Sequence, residues 1–322
     1  GYGHNGIGIT GAAPNANISG QRLLGAGTPT NEAAALTRTM NAVDIYSNSW
    51  GPYDDGTLQP APPEILAALE NGATNGRNGK GVIYTWAGGN GRNSNDNSNY
   101  DGYANSRYVI SVAAITNQGA YSWYSEPGAN VLVSSPSNGG SDAITTTSTN
   151  NGYTDNFGGT SSATPLVSGI VALMLEANPN LSWRDVQHVL ANSSDVVDSN
   201  SSGWFTNGAG HEFSHDYGFG RINAESAVAL SKTWSNVGNE VSYSASINPG
   251  TPIPDAGGGS ISSQINITQD ITLESIEIPI ESDHTYAGDL TITLTSPEGT
   301  TAILSEGDRN DTSTLNFTFS AK

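Results

Sequence analysis

Short apolar runs punctuate the first half of the chain at Ala42–Asn48, Gly81–Trp86 and Tyr108–Ile115. They are bounded by Gly and Asn, the pattern of buried strands. Between them Glu32–Ala42 and Pro63–Gly72 read as helices, the second with Ile65, Leu66 and Leu69 on one face. Strand–helix alternation predicts an α/β fold, a mostly parallel sheet covered on both sides. The strongest helical segment is Ser162–Ala177, whose apolar residues Leu166, Val167, Ile170, Val171, Leu173, Met174 and Leu175 circle nearly the whole helix. It is expected to be fully buried, with Pro165 in its first turn, where a missing N–H costs least. Ser182–Ala191 reads as a further helix, with Ser182 as N-cap and Asp185 at N3.

The pattern changes after about Ser231. Residues 246–260 are rich in Pro and Gly and read as a linker. Beyond them the alternation has a period of two: Ser263–Thr268, Ile271–Pro279, Asp289–Thr295, Thr300–Leu304 and Thr314–Phe319. These are expected strands of a second, all-β domain with one buried face.

Composition narrows the classes. The chain has 322 residues, enough for two domains, and a net charge of −19. Such acidity disfavours nucleic acid and anionic membranes and favours a basic partner. Only 13% of residues are charged and 35% are hydrophobic, which fits a folded, loop-rich chain better than a disordered one. The absence of cysteine excludes disulfides and thiol catalysis. No apolar run reaches the roughly 18 residues of a membrane span, and no signal peptide is visible.

The candidate chemistry starts at Gly158-Gly159-Thr160-Ser161-Ser162-Ala163-Thr164-Pro165. Small residues bring Ser161 to the start of an apolar helix, where backbone N–H groups and the helix dipole favour developing negative charge. A serine in that position alone is ordinarily a cap, and Asn90 before Gly91 is ordinarily a turn residue.

In combination they mean more. The run Gly159-Thr160-Ser161-x-Ala163-x-Pro165 resembles the nucleophile motif of subtilisin-like serine proteases, and Ala87-Gly88-Gly89-Asn90-Gly91 resembles the segment bearing their oxyanion-hole asparagine. Asn15-Ala16-Asn17-Ile18, Ile45–Pro52, Asp54-Asp55-Gly56, Tyr100–Tyr103, Leu175–Gln187 and His215–Gly220 resemble the kexin/furin branch. That likeness runs from about Tyr2 to Ser231. The tail, with Asp283-His284, Gly288-Asp289-Leu290 and Ser296-Pro297-x-Gly299-Thr300, resembles the P domain of the same branch. The lack of cysteine points toward a bacterial member.

The resemblance implies a subtilisin-like catalytic domain over residues 1–235 and a partial, jelly-roll-like P domain over 236–322. It implies a secreted or periplasmic serine endopeptidase cutting after Arg or Lys through an acyl-enzyme on Ser161, with Asn90 as oxyanion donor. Asp54 and Asp101 match the acids that hold a basic side chain in the primary pocket. Ser49, Trp50, Gly51 and Pro52 match its wall, and Glu32 matches an acid of the subsite four residues before the cut, whose companion acid is replaced by Pro60. Asp54, Asp96 and Glu126 match a calcium site, and Tyr2, Asn5, Ile7 and Ile9 match loop ligands of a second one. The family's catalytic aspartate and histidine motifs belong upstream of Tyr2, and His4, His188, His211, His215 and His284 do not replace the histidine. The expectation is that docked companion fragments of the same protein supply those residues and the rest of the P domain. A non-catalytic calcium-binding scaffold is the rival reading. An acidic adhesive β protein would account for the tail but not for the first 230 residues.

Overall fold

The computed structural model describes residues 5–25, 27–255, 258–309, 311–312 and 314–322. Helix α1 (Pro29–Thr37) opens earlier than its apolar pattern suggests. Thr28 caps it by accepting from the Asn31 N–H, and Pro29 supplies a preset first turn. It also closes earlier, because Thr39 takes a left-handed conformation. Strand β1 (Ile45–Asn48), helix α2 (Pro63–Gly79), and strands β2 (Ile83–Ala87), β3 (Val109–Ile115) and β4 (Val131–Pro136) follow. The four strands form one parallel sheet in the order β1-β2-β3-β4, with Tyr46 opposite Tyr84, Tyr84 opposite Val109 and Ser111 opposite Val131. All seven residues of β3 are buried, as a strand covered on both faces requires.

A hairpin of β5 (Ile144–Thr147) and β6 (Tyr153–Phe157) leads into helix α3 (Thr160–Ala177). Next come α4 (Trp183–Ser193), a short ribbon of β7 (Phe205–Thr206) and β8 (Glu212–Phe213), and α5 (Ala224–Thr233). Ser182 and Asp185 form the expected reciprocal cap on α4. Helices α3, α4 and α5 cover one face of the sheet around Ile110, Val112, Val167, Val171 and Val189. Helices α1 and α2 cover the other around Leu36, Ile65, Leu69, Tyr84 and Trp86. Burying a side chain such as Ile65 or Leu69 contributes roughly 1.5–3 kcal/mol. The expectation for α3 needs correction. Its Val167, Val171 and Met174 are buried, but Leu166, Ile170 and Leu173 are only half-buried and Pro165 is exposed. At 18 residues it is long and apolar enough to cross a membrane by length and composition, against the sequence expectation of no such run. Here it packs on the sheet.

The C-terminal part holds β9 (Ile276–Ser282), β10 (Ile292–Thr295), β11 (Thr301–Ser305) and β12 (Leu315–Ala321). They pair antiparallel as β9 with β12 and β10 with β11. The expected strand at 263–268 does not form, and the one at 271–279 begins only at Ile276. Ile265, Ile267, Ile271 and Leu273 are exposed. Their alternation reads as a strand, but no neighbouring strand pairs with it among the described residues.

These strands hold the α/β part at several places, most closely at the loop around Asn99. Asn99 Nδ2 donates to the Ser320 carbonyl at 2.9 Å, and the Ser320 N–H donates back to Asn99 Oδ1 at 2.9 Å. Tyr100 packs into the apolar cluster of Leu304, Leu315, Phe317 and Phe319, with the Arg309 guanidinium 4.7 Å from its ring centre. The held loop is the one that carries Asp96 and Asp101.

A second tie joins α4 to the start of the β part. Glu274 accepts from Arg184 and, at 3.0 Å, pairs with His188 Nε2. Partial burial works against ionisation of Glu274, but hydrogen bonds from His188 and Arg184 outweigh it and bring the carboxyl from 4.5 to about 2. A depressed folded value contributes stability above the unfolded value, lost as pH falls from about 4.5 toward 2. Glu274→Gln should therefore lower the melting midpoint at pH 7 by about 1–3 °C. Thermal scans across this range should show the difference shrinking steadily and the variant and wild type converging at about pH 2 and below. A gap that persists there would rule the pairing out as its source.

Candidate active site

The site lies beyond the carboxyl ends of the parallel strands, where ligands bind in open α/β sheets. The segment after β1 brings Ser49–Asp54, the segment after β2 brings Ala87–Asn90, and the start of α3 brings Ser161. All of these but Gly88, with Asp96, Tyr100, Asp101, Glu126 and Thr160, line a pocket of about 130 Å3.

Ser161 stands at its mouth. Its Oγ lies 3.5 Å from the Ser49 carbonyl oxygen, and Ser49 Oγ donates to the Ser161 carbonyl at 3.1 Å. Gly159, the N-cap of α3, has φ +78°, a conformation that a side chain at this position would strain. Ser161 sits in the first helical turn, where N–H groups have no intrahelical acceptor, so its N–H is free to serve an oxyanion. Asn90 faces it. Asn90 Oδ1 accepts from the Thr160 N–H at 2.8 Å and from Thr160 Oγ1 at 3.1 Å. This fixes the amide so that Nδ2 is the end left to donate. Thr160 is thus part of the site, a role only its place inside the Gly-Thr-Ser run could have signalled.

The pocket floor is acidic. Asp101 Oδ1 accepts from the Tyr103 N–H at 2.7 Å. Burial pushes its carboxyl up to about 7 against the backbone hydrogen bonds, and the charges of Asp96 and Asp54 push the same way. Gly51 lies directly over it, since a Cβ there would come within 3.0 Å of Asp101 Oδ2. Trp50 stacks edge-on against Trp86 and Tyr103, with centroids 4.8 and 5.3 Å away, and stiffens that wall. Pro52 lines the pocket beside it. Glu32 accepts from Tyr103 Oη at 2.9 Å, which ties it to this aromatic cluster, while Pro60 is exposed. Tyr103 was missed as a connector.

On another part of the pocket lining, carboxylate oxygens of Asp54, Asp96 and Glu126 lie within 4.8 Å of one another. Asp54 is open to solvent and accepts from the Asn90 N–H at 3.2 Å, while Asp96 and Glu126 are buried. Glu126 Oε1 accepts from the Gly91 N–H at 2.7 Å. Gly89, at φ +102°, leaves room for the same carboxylate, because a Cβ there would fall 2.2 Å from it. Burial raises Glu126 well above the ordinary range and Asp96 to about 6, and mutual repulsion adds to both. Three converging carboxylates with no cationic partner in the cluster are a donor set suited to a hard cation such as Ca2+.

The expected second metal loop is less developed. Tyr2 and His4 lie outside the described residues. Asn5 Oδ1 accepts from the Ile7 N–H at 3.0 Å, Ile7 is exposed and Ile9 is half-buried. Among the described residues no histidine lines the Ser161 pocket. His188 pairs with Glu274, and His284 Nδ1 lies 3.1 Å from the Tyr286 carbonyl. His211 stands edge-on to Phe219. His215 Nε2 accepts from the Ile303 N–H, and burial lowers its pKa, which keeps the ring neutral for that bond.

Residues 1–220 match the subtilase family model. The chain belongs to the subtilase family. Residues 273–322 match the proprotein convertase P-domain. Furin-1 of Xenopus laevis is 40% identical to this subtilase over 317 residues, covering 94% of this chain and 40% of that protein. Kexin of Saccharomyces cerevisiae is 38% identical over 307 residues, covering 92% and 38%. The chain therefore spans about two-fifths of the length of these relatives. Among solved structures, the serine protease of Aeromonas sobria superposes with a TM-score of 0.86 at 25% identity, covering 98% of this chain and 68% of that one. The likeness extends through both parts of the fold, the parallel sheet and the antiparallel strands.

Proposed function

We propose that this subtilase is a secreted, calcium-dependent serine endopeptidase that cuts after Arg or Lys. The observation that carries the reading is the placement of Ser161 and the oriented Asn90 amide at the mouth of a pocket floored by Asp101, with Asp54 on its wall. Ser161 Oγ bonds to the substrate carbonyl carbon, and its proton passes to a general base and then to the leaving amine as the C–N bond breaks. Asn90 Nδ2 and the Ser161 N–H hold the oxyanion. Water then cleaves the ester and releases the carboxylate. The general base is the histidine of the family, with its aspartate, contributed from outside residues 1–322. A basic P1 side chain enters toward Asp101 and Asp54, which offer charge-assisted hydrogen bonds to guanidinium or ammonium. The acidity of the chain suits such substrates. A non-catalytic scaffold would have no use for an amide locked in the orientation of Asn90.

Asp54, Asp96 and Glu126 would hold Ca2+, which supplies the charge that lets three carboxylates stay ionised together. Its effect on the pocket is indirect, through the loops bearing Asp54 and Asp101. The test is hydrolysis of Arg-ending peptide amides by the full-length protein, with and without a chelator. Chelation should abolish activity, and added calcium should restore it and raise the melting midpoint. Asp96→Asn should shift the calcium requirement upward without changing which residue is preferred. Full activity in the chelator, or equal cleavage after Leu, would defeat the corresponding part of the reading.

A further inference from the structure

The Gly159 N–H is held by residues outside the pocket and outside the motifs around Ser161 and Asn90. Its N–H donates to two acceptors, Tyr124 Oη at 3.1 Å and Asn138 Oδ1 at 3.0 Å. Those two are themselves linked, with Tyr124 Oη 2.6 Å from Asn138 Oδ1 and 2.9 Å from Ser137 Oγ. On its other side, the Gly159 carbonyl accepts from Ser137 Oγ at 2.8 Å, Ser162 Oγ at 3.1 Å and the Ser162 N–H at 3.0 Å. Tyr124, Ser137 and Ser162 are all at least nine-tenths buried. The side chain of Asn138 also closes over Gly158, where a Cβ would lie 2.0 Å from its Cγ. Both polar groups of Gly159 are thus pinned inside a buried hydrogen-bonded cage, and the next N–H, that of Thr160, is pinned by Asn90.

We propose that Tyr124 and Asn138 are positioning residues for Ser161. They come from the β3–β4 connection and the segment just after β4, so they anchor the start of α3 to the sheet. The left-handed Gly159 is the joint at which the chain could swivel. Holding its N–H by two acceptors fixes the direction from which Ser161 Oγ and the Ser161 N–H face the substrate carbonyl. A misplacement of about 1 Å at such a joint can cost on the order of a hundredfold in rate. The arrangement is redundant, because either acceptor alone can keep the N–H satisfied. It acts on the bond-making step and not on the primary pocket, since neither residue lines the space around Asp101.

This inference rests on the protease reading. It is tested in the full-length protein with Tyr124→Phe, Asn138→Ala and the double variant, each normalised to folded protein by circular dichroism. Tyr124→Phe keeps the ring and its edge-on contact with Trp123, centroids 5.3 Å apart. Each single variant should lower kcat about two- to threefold and leave KM within about twofold. The double variant should lower kcat at least about fiftyfold, well beyond the product of the singles, and equally for Arg and Lys substrates. Independent multiplication, a loss that falls on KM, or a loss that follows the folded fraction would overturn the assignment. A wild type that hydrolyses no peptide amide overturns the protease reading and this one together. An active wild type with unaffected variants overturns this one alone.

Discussion

Ser161→Ala should leave the full-length protein folded and without measurable peptidase activity, a fall on the order of 10⁶ in kcat. Removing the Oγ removes the hydroxyl that forms the acyl-enzyme. The flanking anchors are untouched, since Ser49 Oγ bonds the Ser161 backbone carbonyl and Asn90 bonds Thr160. The melting midpoint should therefore move little. A fluorophosphonate probe should add a single phosphonyl group to wild type, and peptide mapping should find it on Ser161. The residual rate of the variant comes from the oxyanion donors and substrate binding alone. Retained activity, or labelling at another serine, would remove Ser161 as nucleophile. A folded wild type that neither labels nor hydrolyses would favour the non-catalytic scaffold instead.

The sheet was legible because its strands are buried on both faces. Ile83–Ala87 and Val109–Ile115 have almost no polar position to blur them, and their ends fall within two residues of the reading. The first strand was read three residues too long, because Ala42 and Val43 are apolar but belong to a turn in which both N–H groups bond the Thr39 carbonyl. The tail was legible only as alternation. Ile265 and Ile267 carry the right period, but a strand needs a hydrogen-bonded neighbour, and period alone does not name one. The helix behind Ser161 was read as buried all round because apolar content says nothing about where neighbouring elements stop. In the site, residues lying within a family-like motif were found, including Asp54, Asp96 and Glu126, which converge across the fold, but the hydrogen bonds that hold Asn90 and Gly159 in place were not. Thr160 reaches Asn90 across 70 positions, and Tyr124 reaches Gly159 across 35. No periodicity encodes those contacts.

Asp101→Asn should lower kcat/KM for Arg substrates at least about tenfold and shrink the preference for Arg over Leu. The substitution keeps the shape of the floor and removes its charge, and one desolvated charge-assisted contact is worth about 2–5 kcal/mol. The pH dependence carries the sharper signature. Burial, reinforced by Asp96 and Asp54, holds Asp101 up to about 7. Below that value the carboxyl is protonated and offers a cation no opposite charge, so kcat/KM for Arg should fall as pH drops through this range. Leu substrates should show only the limb set by protonation of the general-base histidine, so the ratio of Arg to Leu kcat/KM should itself fall as pH drops through this range. Calcium bound by Asp54, Asp96 and Glu126 neutralises two of the charges that raise Asp101, so added calcium should move the fall in this ratio to lower pH. Asp101→Asn should make the Arg-to-Leu ratio independent of pH and of calcium in this range while Ser161 still labels. An Arg-specific pH dependence of that ratio that survives the substitution belongs to another group and would take the primary pocket away from Asp101.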